Sequence, residues 1–252
     1  MLLLSLLLGV SPGRPQLSQA NYRMAAAAAR QALERNPDEA GHHATLANAL
    51  ARMGRCTEAL DHYAWALGDP FYEQYGVPLQ ADCLRLLGRP DEAAEVRATT
   101  PINARSRAAL AVDLAQAGRY DEAFDALDLA LAWEPGSPDL EGARARVFLA
   151  MGDVEQADAA VWVAQRMGPS LHTAIARVEL EDDPMGRLLR AESARTVWPW
   201  NPDLAYATLS ALVELGQHDA ACRMAGTKAL AMSEHRGLGP LRAKTCPDDA
   251  LR

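Results

Sequence analysis

Residues 108–135 read AALAVDLAQAGRYDEAFDALDLALAWEP, and the order of residue types in this stretch decides the fold. Between Arg105 and Ala117, Leu110, Ala111 and Leu114 recur at the spacing of one helical face. Gly118 then ends the helix, because glycine adopts the left-handed backbone of a helix C-terminus at no steric cost. Asp121 and Glu122 follow in the first turn of a second helix, where the macrodipole favours negative charge. That helix sets Ala123, Leu127, Ala130 and Leu131 on one stripe and stops at Pro135. Two amphipathic helices joined by a tight turn cannot bury both apolar faces alone, so the hairpin needs neighbours.

The neighbours are copies of itself. GRYDEA at 118–123 has counterparts in GRCTEA at 54–59, GRPDEA at 88–93, GDVEQA at 152–157 and GQHDAA at 216–221. Glycines stand at 54, 88, 118, 152, 186 and 216, always 30 or 34 residues apart. Five residues after each comes an alanine: Ala59, Ala93, Ala123, Ala157, Ala191 and Ala221. Prolines close most units, at Pro37, Pro70, Pro101, Pro135, Pro169 and Pro202. A period of this length marks stacked supersecondary units. The alanine lets paired helices approach closely where a larger side chain would hold them apart. Hydrophobic residues make up 49% of the 252-residue chain and aromatics only 6%, a balance that favours alanine-packed helices over strands.

The pattern of small and leucine residues, glycine, tyrosine, alanine, a large apolar residue, alanine and proline in 108–135 resembles the tetratricopeptide repeat family. The likeness runs over roughly residues 21–232. It implies an all-α fold, a right-handed α-solenoid of stacked antiparallel helix pairs, with about six repeats over 38–232 after an orphan helix at 21–37 and before a tail at 233–252. Two departures are local. Pro78 lies within the first helix of the second unit, and EDDP at 181–184 implies a lengthened turn before Gly186. The RNA-reading pentatricopeptide relatives have similar unit lengths, but a formal charge of −8 without a basic run disfavours a phosphate backbone as partner.

The N-terminus carries a different message. MLLLSLLLGV is too short to span a bilayer, and Ser18 and Ala20 fit a signal-peptidase site, so residues 1–20 are expected to be a signal peptide. Asn21, a favoured N-cap, would then open the mature chain on the orphan helix. The competing reading makes Leu2–Val10 the first buried helix of a cytosolic adaptor. Export to the periplasm or medium suits the four cysteines, which allow three disulfide connectivities. In a stacked array, Cys56 opens a second helix beside the first helix that holds Cys83. Cys222 and Cys246 would pin the tail to the last repeat. The alternative is four buried free thiols.

No catalytic motif is present and no cofactor is expected. His42, His43 and His62 are the nearest approach to a metal-dependent hydrolase, yet His42 and His43 are adjacent and no HExxH spacing exists. GLGP at 237–240 reads as a turn, and Trp198 and Trp200 as core and turn residues. The resemblance implies instead a non-enzymatic scaffold that binds a protein or peptide on the concave face lined by each first helix. Counting back from the glycines puts Thr45, Asn48, Arg52, Asp82, Arg146 and Ser210 on that face, with Tyr75, Arg105 and Tyr206 nearer the helix starts. Asn48 and Arg52, four apart, can together hold a carboxylate or a backbone carbonyl.

Overall fold

The computed structural model describes residues 15–100, 103–226 and 234–246, with side chains from residue 21 onward. Among these residues all regular structure is helical. Helix α1 (Pro15–Leu33) packs on α2 (Ala40–Arg52), which pairs with α3 (Cys56–Tyr63). The second pair is α4 (Val77–Leu86) with α5 (Pro90–Ala98), and the third is α6 (Ala104–Gln116) with α7 (Tyr120–Trp133). Then come α8 (Pro138–Met151) with α9 (Val154–Met167), and α10 (Leu171–Glu179) with α11 (Pro184–Val197). The last pair, α12 (Pro202–Glu214) and α13 (His218–Ala225), is covered by α14 (Leu238–Thr245).

The turn chemistry repeats faithfully. Gly54, Gly88, Gly118, Gly152 and Gly216 all have φ between 71° and 81°. The residue after each donates its N–H back to the carbonyl five residues earlier, as in Arg119 to Leu114 and Gln217 to Leu212, both at 2.9 Å. This is the Schellman closure that satisfies the last carbonyls of a helix. The six alanines Ala59, Ala93, Ala123, Ala157, Ala191 and Ala221 are each 0% exposed. Leucines finish the pairs: Leu50, Leu127, Leu140, Leu204 and Leu209 are also fully buried, each contributing about 1.5–3 kcal/mol by leaving water.

Four details differ from the sequence expectation. The first helix starts at Pro15, so Asn21 lies inside it and does not cap it. Gly186 is not the turn glycine of its unit. Asp183 caps α11 by accepting the Gly186 N–H at 2.8 Å, Pro184 is the first helical residue, and Gly186 sits in the first turn. The acidic EDDP stretch supplies this start signal itself, which is why the expected lengthened turn comes out as an early helix. Around Pro78 the chain does not break; helix begins at Pro70, widens into a π turn at Tyr72–Gly76 and resumes as α4. The widened turn places Pro78 near the start of α4, where its missing N–H costs little. Finally, GLGP runs directly into α14. Pro101 and residues 1–14 lie outside the described residues.

Candidate functional site

Successive first helices lie side by side, so their outward faces line the inside of the curve. There α4, α6, α8, α10 and α12 share one cavity of about 470 Å³. Ile175, Val178, Leu204 and Ala207 give it apolar walls, and Arg85, Arg146, Arg187, Glu179 and Asp203 give it charge. A cavity touched by five consecutive units can only face the centre of the superhelix.

The charges form a chain across the curve. Arg97 Nε donates to Asp113 Oδ2 at 2.6 Å and Arg97 Nη2 to Asp82 Oδ1 at 2.7 Å. Burial opposes the charge on Arg97, but Asp82 and Asp113 outweigh it and raise its pKa. Arg85 Nε lies 3.8 Å from Asp113 Oδ1, and Arg85 Nη1 donates to Asp203 Oδ1 at 3.1 Å. Residues 85 and 203 belong to the second and sixth units, so one side chain bridges the inner face. Burial would penalise the Asp203 carboxylate. Arg85, the nearby His235 ring and Arg146 reverse that and hold it well below the usual carboxylate range.

Some buried polar atoms in this region have no partner. Arg146 is 8% exposed, its Nη2 reaches Glu179 Oε1 only at 3.5 Å, and its Nε is unpaired. Arg187 Nε is also unpaired. His172 Nδ1 is a third such atom, and burial, then Arg146, Arg85 and Arg97, push the pKa of this ring down to about 3. Glu179 keeps 42% side-chain exposure because it opens onto the cavity, yet its depth raises its pKa against the pull of Arg146. Unsatisfied buried donors beside a cavity suit a ligand that brings acceptors.

Of the residues singled out from the sequence, Arg146, Tyr206 and Ser210 line this cavity. Asp82 belongs to the same charge chain through Arg97. The first-unit set lies elsewhere. Asn48 is 4% exposed and its Oδ1 receives the Tyr63 hydroxyl at 2.9 Å, so that acceptor serves the helix pair. Thr45 donates to Gly41 O of its own helix at 2.9 Å. Arg52 is exposed, Tyr75 packs its ring at a tilt against Phe71 with centroids 5.2 Å apart, and Arg105 is exposed at the start of α6. The sequence reading missed Arg85, Glu179, Asp203 and His235. Arg85 and Glu179 read as ordinary charged ends of helices, and Asp203 as a first-turn acid.

The other groups fall outside the cavity. Cys56 and Cys83 stand at disulfide distance with Cα atoms 5.0 Å apart, and so do Cys222 and Cys246 at 5.1 Å. His43 is buried between helices, its Nδ1 2.9 Å from His62 Nδ1 and its Nε2 2.7 Å from Pro37 O. Since the carbonyl only accepts, His43 donates from Nε2 and receives the proton of His62 Nδ1. His42 is not part of this pair, and among the described residues no cluster of three His, Cys, Asp or Glu could hold a metal. No helix among them is long and apolar enough to cross a membrane.

Comparison with known proteins agrees with this architecture. A family model described as tetratricopeptide repeat matches residues 114–177. A tetratricopeptide repeat protein from Parabacteroides merdae has the same fold at a TM-score of 0.59, with 16% identity, over 91% of this chain and 94% of its own. The Cut9–Hcn1 hetero-tetramer of APC/C follows at a TM-score of 0.50 and 14% identity, matching 94% of this chain, which spans 50% of that one. No curated protein matches. The glycine closures, the buried alanines and the stacked pairs give the described residues the tetratricopeptide repeat fold, and residues 114–177 carry the repeat's sequence pattern as well.

Proposed function

We propose that the protein is a non-enzymatic interaction scaffold whose inner face binds a peptide segment of a partner protein. The observation that carries this is the cavity shared by five first helices, with the buried Arg146 donor unsatisfied at its wall. A peptide backbone offers carbonyl acceptors for such donors, and the apolar walls suit one or two of its side chains. Immobilised full-length chain should retain a partner from the native host, identified by mass spectrometry. Arg146→Glu should release that partner while far-ultraviolet circular dichroism stays unchanged. Retention by the variant would move the binding surface off this face.

Export is part of the proposal. The two cysteine pairs at disulfide distance support it, because such pairs persist in oxidising compartments. Intact-mass analysis of host-derived protein should show a chain starting at Asn21 that lacks the four thiol hydrogens. A mass that retains Met1, with all four cysteines open to a thiol reagent, would favour the cytosolic adaptor instead.

A further inference from the structure

The inner face already has an occupant. Residues 234–237 of the tail return from the sixth unit across the curve and meet the turns of the first two. Glu234 N–H donates to Gly54 O at 3.1 Å, and the Glu234 carboxylate receives both the N–H and the hydroxyl of Thr57 at 2.7 Å each. That carboxylate thus lies at the start of α3, where unpaired N–H groups and the macrodipole favour an anion. Arg236 N–H donates to Leu86 O at 3.0 Å, and the Arg236 side chain lies against Gly88. Between these two anchors the His235 ring stacks on Tyr206 with centroids 4.9 Å apart. Its Nδ1 accepts the Gly237 N–H at 3.1 Å, which leaves Nε2–H directed at Asp203 Oδ1, 3.6 Å away. A Cβ on Gly237 would collide with the Tyr206 ring, so this position needs glycine.

These contacts have the form of peptide recognition. Backbone groups of the segment pair with backbone groups of the array, and one acid and one ring fill defined places. The segment reaches residues far away in sequence, yet α14 behind it is fixed, with Leu238 fully buried and Cys246 beside Cys222. His235, Arg236 and Gly237 also line the cavity itself.

We infer that residues 234–237 are an intramolecular stand-in for the partner, occupying the inner face until a peptide of the same chemistry displaces them. That peptide presents an acidic residue to the start of α3, then a flat ring to Tyr206 and Asp203, and a glycine two residues after the ring. The inference rests on the scaffold reading above and adds to it both the partner's chemistry and a built-in competitor.

The test uses a fluorescein-labelled synthetic peptide, EHRGLGPL, the sequence of residues 234–241, and the full-length chain with its cysteines paired. In two variants the tail is dislodged from its own side: Glu234→Arg with His235→Ala, and separately Gly237→Val. Fluorescence anisotropy should show each variant binding the peptide at least tenfold tighter than the unmodified chain. Adding Tyr206→Ala to either should remove the gain. Hydrogen exchange at the Thr57 amide should quicken in both tail variants, which reports undocking independently of any ligand. Equal affinity in all three proteins overturns the competitor role. Faster Thr57 exchange with no peptide binding overturns the stand-in role, and leaves the scaffold reading to stand or fall with host-partner retention. Unchanged Thr57 exchange overturns the docking.

Discussion

Gly142 offers a test in which two physical effects oppose one another. It lies inside α8 without an unusual backbone angle, so replacement by alanine should stabilise the helix by about 1 kcal/mol on intrinsic preference alone. The packing says otherwise. A Cβ at Gly142 would stand 2.5 Å from Thr173 N and from Thr173 Oγ1, and 3.1 Å from the His172 carbonyl carbon. Backbone atoms of α10 cannot swing aside as a side chain can, so the two first helices must separate. Overpacking of this kind costs about 1–3 kcal/mol, and contact with backbone places it in the upper part of that range. Gly142→Ala should therefore lose about 1–2 kcal/mol net. Gly41→Ala in α2 is the matched control: it is also helical, its added Cβ would approach only the ends of the Asp69 and Glu39 side chains, at 3.3 and 3.9 Å, and it should gain about 0.5 kcal/mol. Urea denaturation followed by far-ultraviolet circular dichroism measures both. A Gly142→Ala protein as stable as the parent would refute the close approach of α8 and α10.

Further outcomes follow from the same packing. Ala123→Leu, at a fully buried contact between α6 and α7, should cost about 1–3 kcal/mol in the same denaturation experiment, and no loss would contradict the repeat register. Arg97→Met leaves Asp113 buried without its closest cation and should cost about 3–5 kcal/mol; adding Asp113→Leu should return most of it. For His172 the folded pKa of about 3 lies below the unfolded value of 6.5, so the unfolded chain takes up the proton first. Its contribution is present above the unfolded pKa and is lost as pH falls, by about 2 kcal/mol between roughly pH 7 and 5. Glu179 is raised and works the opposite way, so the clean measurement is the difference in pH slope between the parent and His172→Gln, and identical slopes would refute the burial of that ring.

The repeat was legible because its signals are local. A glycine that must turn left-handed and an alanine that must fit under a neighbouring helix leave marks at a constant spacing, and both marks held at nearly every unit. Gly186 shows the limit: its spacing is right, but Asp183 and Pro184 are stronger start signals and claim the glycine for the helix. The inner face was only half legible. Arg146, Tyr206 and Ser210 follow from counting along first helices. Arg85 meeting Asp203 depends on how tightly the array curls, a sum of small rotations that no single unit encodes. The return of Glu234 to Thr57 is likewise a meeting of chain segments 177 residues apart, with nothing in either sequence to announce it.

A stack whose units touch only their neighbours behaves like a spring, extending or fraying from one end while the other end stays intact. The Arg85–Asp203 bridge closes that spring into a clasp. A pull on the last pair is felt at the second without passing through the three between, so the middle of the array is loaded in parallel with the bridge. Opening the clasp then becomes a single event with its own rate, and stiffness belongs to the ring as a whole.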